Sequence, residues 1–115
     1  MIIRNRFFPF TPFSAINFCG IIFVRKGLPF SPTDLRHELI HSRQQRELLY
    51  IPFFVLYLSE WLWHLLQTRP LHHLFRAESL LRAYFRISFE REAYAHQKEP
   101  DYLCNRTLFA WFRYL

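Results

Sequence analysis

A long stretch without glycine, which begins at a clear helix start, most constrains the fold of this chain. Ser31 is followed by Pro32 and Asp34, a pattern typical of an N-cap, a first helical position and a capping-box partner. From there to Thr68, Pro52 is the one residue that interrupts the helical sequence. A proline does so because it has no N–H to donate to the carbonyl four residues earlier. We therefore predict a long helix that is kinked or broken at Pro52.

Extended elements are predicted before this helix. Residues 1–14 are rich in Pro and Phe, which favours an extended, irregular segment. Residues 15–25 are rich in β-branched and aromatic side chains and predict a strand, or a hairpin bent near Cys19 and Gly20.

Further helices are predicted after the proline at position 70. The sequence favours helices over residues 71–84 and from about 88 to 98, followed by a short apolar stretch after Pro100. A length of 115 residues suits one domain. We expect a single domain over residues 1–115 with an α+β fold that is mostly α.

Composition narrows the class of protein. Apolar residues make up 51% of the chain, which argues against a disordered tail. Two cysteines are too few for a disulfide scaffold. The net charge of +6 is compatible with nucleic acid, anionic lipid or acidic peptides as partners. Pro9 and Pro12 interrupt the apolar run that a signal peptide needs, so a cytoplasmic chain is expected.

Residues 48–66 form the most apolar segment. The part before the first polar side chain, residues 48–58, is only eleven residues long, whereas a membrane-spanning helix needs about 18–20. A buried core helix is therefore predicted. The alternative is peripheral association with a membrane surface, because Trp61 and Trp63 resemble an interfacial aromatic belt.

Residues 37–41 read HELIH, an HExxH motif. His37 and His41 lie four residues apart, so on a helix both imidazoles can reach one metal ion. Glu38 would lie beside the open metal position and act as the general base toward bound water. The motif falls in the first turns of the helix that the capping residues predict independently.

An open zinc site with two histidines needs a third protein ligand. The downstream candidates are His64, His72, His73, Glu78, Glu90, Glu92 and His96. Within the predicted helix over 88–98, Glu90 and Glu92 are about 200° apart, so only one of them can face the metal. If Glu90 faces the metal, Tyr94 shares its face. Glu92 would then form a salt bridge or support the site indirectly.

The HELIH motif, followed some fifty residues later by EREAY, resembles the gluzincin group of zinc metallopeptidases. More narrowly, it resembles zincin-like proteins whose second helix carries Glu-x-x-Ala-Asp, and the small size resembles the minigluzincins. The resemblance implies a minimal zincin-like core and a Zn²⁺ ion. The ion would be held by His37, His41 and Glu90, with Glu38 as general base.

Tyr94 stands where that family has its aspartate. The family aspartate holds a ligand imidazole in its metal-binding tautomer. Tyr94 can replace it only through its hydroxyl, or can instead face the substrate and stabilise an oxyanion as a catalytic residue. Gln44 and Gln45 are alternative partners for the imidazoles.

The leading functional hypothesis is a zinc-dependent metallopeptidase that hydrolyses a peptide or protein. The strand around residues 21–24 would bind substrate by β-augmentation if it formed a free edge. A second hypothesis is a metal-binding protein without peptidase activity. A third is a basic module for a membrane surface or nucleic acid, and it rests on Arg43, Arg46, Arg76, Arg82, Arg86 and Arg91. Because no nucleic-acid motif accompanies these arginines, nucleic acid is not expected.

Residues 100–115 carry several large apolar side chains that must be buried somewhere. One prediction is a tail packed on the back of the core. The other is a segment that covers the substrate side, as terminal segments do in the zymogens of the minigluzincins that the chain resembles.

Overall fold

In the computed structural model, which describes residues 2–6 and 15–115, a small sheet precedes the helices. The strands are β1 (Ile2–Asn5), β2 (Ala15–Phe18) and β3 (Ile21–Arg25). The helices are α1 (Pro32–Glu47), α2 (Ile51–Leu65), α3 (Ala77–Arg86), α4 (Ser88–His96) and α5 (Tyr102–Asn105), with short 3-10 turns at Leu71–His73 and Ala110–Tyr114. The α+β, mostly α fold is thus confirmed.

The sheet has the strand order β1-β3-β2. Strand β2 pairs antiparallel with β3 through a two-residue turn at Cys19 and Gly20, whose φ angles are 53° and 92°. Positive φ at both turn residues matches the right-handed twist of the strands, so the predicted hairpin is confirmed. Because β3 is the central strand, residues 21–24 do not meet the condition of a free edge that β-augmentation requires.

Strand β1 was not expected, since residues 1–14 were predicted to be irregular. Ile2 and Ile3 pair parallel with β3, and their β-branched side chains favour that conformation. The remainder of the Pro- and Phe-rich segment, residues 7–14, lies outside the described residues.

Helix α1 starts as predicted and ends earlier than Pro52. The capping box between Ser31 and Asp34 is present. At the other end the Tyr50 N–H donates to the Gln45 carbonyl at 2.7 Å, and Leu49 has a φ of 58°. These are features of a Schellman motif, in which glycine is the usual residue at the Leu49 position.

The chain then turns sharply into α2. Tyr50 has a φ of 70°, and the Ile51 N–H donates to the Leu49 carbonyl at 2.9 Å, which closes a tight γ-turn. The two helix axes differ by 115°. Pro52 lies in the first turn of α2, where its missing N–H would have had no partner. The predicted long kinked helix is therefore two separate helices.

Helix α2 turns the polar side chains of Tyr57 and Glu60 toward the protein. Glu60 accepts hydrogen bonds from the Ser88 backbone N–H at 2.8 Å and from the Ser88 hydroxyl at 2.7 Å. A carboxylate there caps the amino end of α4 and complements its dipole. Only Phe53 and Leu65 of α2 are fully buried, so the prediction of a buried core helix is correct for one face only.

Among the described residues, no single helix is both long enough and apolar enough to cross a membrane. Helices α1 and α2 taken together, with the bend between them, have the necessary length and composition.

The main core lies between α2 and α4. Its buried members are Phe53, Ile87, Phe89 and Trp111. Ile87 is extended, with a ψ of 133°, and separates α3 from α4. The helix predicted over residues 71–84 is in fact a 3-10 turn followed by α3, which starts at Ala77.

The C-terminal segment packs behind α4. Arg106 lies between the carboxylates of Glu92, at 2.5 Å, and Glu47, at 2.9 Å, and all three side chains are almost fully buried. Trp111 joins the core. Residues 100–115 contribute nothing to either cavity beside Glu38, so of the two predictions for this tail the structure shows packing on the back of the core.

The turn between α1 and α2 contains two non-glycine residues at positive φ, which costs conformational energy. Leu49 is 78% exposed, so little burial is lost when its side chain is removed. We predict that Leu49→Gly raises the free energy of unfolding by about 1 kcal/mol in urea denaturation.

The matched control is Leu58→Gly, a change at an exposed leucine inside α2. It should lower the free energy of unfolding by about 1 kcal/mol, because glycine is unfavourable within a helix. If both variants were destabilised alike, the strain assigned to Leu49 would be absent.

Candidate metal centre

Three side chains from α1 and α4 converge beneath the sheet. The Nε2 atoms of His37 and His41 each lie 2.9 Å from a carboxylate oxygen of Glu90. The two Nε2 atoms are 3.1 Å apart. All three residues are buried, and their potential ligand atoms lie within 4.8 Å of one another. The structure therefore brings together the three predicted metal ligands.

Gln44 determines the tautomer of His41. Its amide nitrogen donates to the Phe89 carbonyl and to Glu92, each at 3.0 Å, so its oxygen must face the His41 Nδ1 atom at 2.7 Å. An oxygen acceptor at that distance requires a proton on Nδ1. In neutral His41, the Nε2 lone pair therefore points toward Glu90.

Gln97 orients His37 in the same way. Its side-chain oxygen lies 2.8 Å from the His37 Nδ1 atom. Such a partner fixes the orientation of an imidazole and raises its basicity toward a metal. Sequence reasoning anticipated Gln44 but missed Gln97. The available signal was spacing, because Gln97 lies seven residues after Glu90 and thus on the same helical face.

The buried Glu90 carboxylate dominates the electrostatics of the centre. Burial alone would raise its pKa, but the neighbouring His41 and His37 outweigh that effect and hold the pKa well below its usual range. Tyr57 donates a hydrogen bond to Glu90 at 2.6 Å. Burial and this anionic neighbour raise the pKa of Tyr57 well above its usual value. Glu90 is therefore ionised and Tyr57 neutral.

His41 shows how strongly the centre attracts positive charge. Burial disfavours its protonated form, yet the charge and hydrogen bond of Glu90 prevail and raise the pKa of His41 to about 9. Two imidazole lone pairs and a carboxylate that face one another repel unless a cation lies between them. A proton or a metal ion meets this requirement.

Glu38 lies beside the three candidate ligands but does not belong to their cluster. Its Oε2 atom is buried and has no hydrogen-bond partner among the described residues. Burial raises the pKa of Glu38, which brings a carboxyl group closer to the range of a general base at neutral pH. Glu38 lines both cavities next to the centre, one beside His37 and one beside His41.

Tyr94 forms part of the wall of the first cavity. Its ring packs edge-on against that of His37, with 4.4 Å between centroids. Its hydroxyl lies 3.2 Å from that of Tyr84 and contacts neither ligand imidazole. Burial raises its pKa to about 12. Tyr94 is thus a neutral hydroxyl on the same cavity as Glu38, while glutamines orient the imidazoles.

The other candidate ligands lie elsewhere. Glu92 contacts Arg106 and Gln44, which agrees with the predicted salt bridge and indirect support. His96 pairs with Glu99 at 2.7 Å. The remaining candidates lie outside the cluster, and they are His64, His72, His73 and Glu78.

Gln45 supports the hairpin and not an imidazole. Its amide group donates to the Asn17 carbonyl at 2.8 Å and accepts from the Cys19 N–H at 2.9 Å. Asn17 in turn donates to the backbone carbonyl of Glu38 at 2.7 Å. These bonds hold β2 against α1 and form one wall of the site.

The donor set fits a zinc ion. Two imidazole nitrogens and one carboxylate oxygen are the protein ligands of open zinc sites, and in a tetrahedral shell such atoms stand about 3.3 Å apart. Here each Nε2 atom lies 2.9 Å from a different oxygen of Glu90, and one ligand atom from each of the three residues lies within 4.8 Å of the others, so the cluster is compact enough to hold one ion.

Comparison of the chain with models of known protein families, with curated protein sequences and with solved structures found no match.

We predict that Gln44→Ala weakens zinc binding by about 10–100-fold, because His41 loses the acceptor that holds its tautomer. Competition with a chromophoric chelator measures this affinity. Gln45→Ala is the matched control, since Gln45 is an adjacent buried glutamine on α1 that contacts no imidazole. It should leave zinc affinity unchanged. Equal losses in both variants would contradict the assigned role of Gln44.

Proposed function

We propose that this chain is a zinc-dependent peptide hydrolase with a minimal zincin-like core, similar to the gluzincins. The observation that carries the proposal is the convergence of His37, His41 and Glu90 beside Glu38, whose buried Oε2 atom has no hydrogen-bond partner among the described residues. Metal ligands alone would suit many functions. A buried carboxylate adjacent to them, in contact with two cavities, adds a proton acceptor where a water has room.

His37, His41 and Glu90 would hold the ion through the atoms that already face one another. When bound, zinc supplies Lewis acidity that polarises a water and a carbonyl group. Glu38 accepts a proton from the attacking water and later delivers it to the leaving amine. Its raised pKa suits both directions of transfer. Gln44 and Gln97 keep the imidazoles in one orientation throughout.

The cavity walls supply the remaining groups for peptide hydrolysis. The neutral Tyr94 hydroxyl is a hydrogen-bond donor on the cavity that Glu38 shares, a position suited to stabilising a developing oxyanion. Ala15 and Ile16 of the edge strand β2 line the two cavities. A substrate backbone would therefore approach along β2 and not along the central strand β3.

A metal-binding protein without hydrolytic activity is the second candidate. It is favoured by the burial of the ligands, because His37 and His41 are each only 5% exposed and Glu90 is 2% exposed. A closed structural site needs no access for substrate.

We predict that Glu38→Gln keeps one zinc ion per chain but lowers the rate of peptide cleavage by at least about 100-fold, because the general base is lost. Metal analysis after gel filtration and cleavage of a library of fluorogenic peptides test the two parts separately. Glu78→Gln, which changes an exposed glutamate away from the site, is the control and should cleave at the parent rate.

The results distinguish the candidates. A parent protein that holds zinc and cleaves no peptide in the library favours the second candidate. A Glu38→Gln variant that cleaves as fast as the parent contradicts the proposed mechanism.

A further inference from the structure

The solvent side of α2 is apolar along its whole length. Its exposed positions, called here the outer face of α2, are Ile51, Pro52, Val55, Leu56, Leu58, Ser59, Leu62, Trp63 and Leu66 at the C-cap. Ser59 is the one polar residue among them, and its hydroxyl donates to the Val55 carbonyl of the same helix at 2.7 Å. The outer face therefore carries no charge, and its side-chain donors are the Ser59 hydroxyl, which is bonded within the helix, and the Trp63 indole N–H.

This polarity is the reverse of that of an ordinary surface helix, which buries its apolar stripe and exposes charge. In α2 the polar residues Tyr57 and Glu60 face inward, where they bond Glu90 and Ser88. Trp63 is 65% exposed and Ile51 76% exposed. A contiguous exposed apolar surface of this kind marks a site of association with a protein or a membrane.

The length of α2 decides how it can meet a bilayer. Its fifteen residues span about 22 Å, less than the roughly 30 Å of hydrocarbon that a crossing helix must traverse. Since α2 is too short to cross and turns an apolar face to solvent, its contact with a bilayer would place it in the plane of the membrane surface.

A basic cavity adjoins the carboxyl end of α2. It lies between α2 and α3 and is lined by His64, Thr68, Ser79, Arg82 and Arg86. Arg82 and Arg86 are one helical turn apart on α3, and no carboxylate of the described residues forms an ion pair with either one. The Nδ1 atom of His64 is buried, and it has no hydrogen-bond partner among the described residues.

The chemistry of this cavity suits a phosphate group. Two guanidinium groups supply charge and paired N–H donors, and the Ser79 and Thr68 hydroxyls lie among the lining residues. The acidic side chains nearby are engaged, since Glu60 binds Ser88 and Glu78 pairs with Arg76 at 3.8 Å.

We propose that α2 docks on the surface of an anionic phospholipid bilayer, with its outer face at the boundary between headgroups and acyl chains and the Arg82–Arg86 cavity on a headgroup phosphate. The charge pattern favours lipid over a second copy of this chain, because two chains of net charge +6 repel. The docking requires no metal, so it stands apart from the proposed hydrolysis.

Trp63 provides a reporter in the unmodified protein. On addition of phosphatidylcholine vesicles that contain phosphatidylserine, its emission should shift to the blue and be quenched by brominated acyl chains. Trp63→Phe should remove this response, because Trp111 is buried and Trp61 donates its indole N–H to the Leu80 carbonyl at 3.1 Å. Emission that is unaffected by these vesicles would overturn the proposal.

Vesicle flotation tests the outer face. Leu62→Glu should weaken binding by at least about tenfold, since it places a charge where acyl chains would lie. Leu108→Glu, the same change at a 77% exposed leucine outside α2, is the control and should float like the parent. Circular dichroism establishes that both variants are folded. Equal binding by Leu62→Glu and the parent would overturn the proposal.

A second pair of variants tests the cavity. The double variant Arg82→Gln, Arg86→Gln should lose about 30-fold in affinity for vesicles with phosphatidylserine. The charge-matched control Lys26→Gln, Lys98→Gln, which changes exposed lysines elsewhere, should lose much less. Equal losses would overturn the assignment of a headgroup phosphate to this cavity, because net charge alone would then drive binding. A dimer in sedimentation velocity that Leu62→Glu dissociates would assign the outer face to a second copy and overturn the proposal.

Discussion

The buried carboxylate of Glu90 between two imidazoles is the interaction on which the rest of the structure depends. A carboxylate is costly to bury unless cations and donors surround it. His37 and His41 from α1 and Tyr57 from α2 meet this need, so three helices must converge at one point. Behind α4, the bonds of Glu92 to Arg106 and Gln44 fix the rotation of the same helix.

Much of the site was predictable because it depends on local periodicity. The capping box at Ser31 sets where α1 begins, and the four-residue spacing of His37 and His41 then places both imidazoles on one face. The angle between Glu90 and Glu92 on α4 explains why Glu90 faces the two imidazoles while Glu92 faces Arg106 and Gln44. Gln97 was missed although its spacing from Glu90 places both on one helical face. Tyr57 could not be found from the sequence, because it reaches Glu90 only through the packing of α2 on α4.

The parts that could not be predicted depend on tertiary contacts that override local preference. Leu49 and Tyr50 adopt positive φ, which nothing in their side chains favours, so the break fell before Pro52. The apolar composition of α2 indicated a core helix, yet Tyr57 and Glu60 share its inward face with Phe53 and Leu65, and most of its other apolar side chains are exposed. Strand β1 depends on pairing with β3, whose partner could not be known from residues 1–14 alone.

Zinc content measured by native mass spectrometry tests the central claim most directly, because the account requires a single metal ion held by His37, His41 and Glu90. After zinc loading and gel filtration, the parent chain should carry one zinc ion, and His41→Ala should carry none. A parent chain that emerges without zinc, or a His41→Ala variant that retains as much zinc as the parent, would contradict the account.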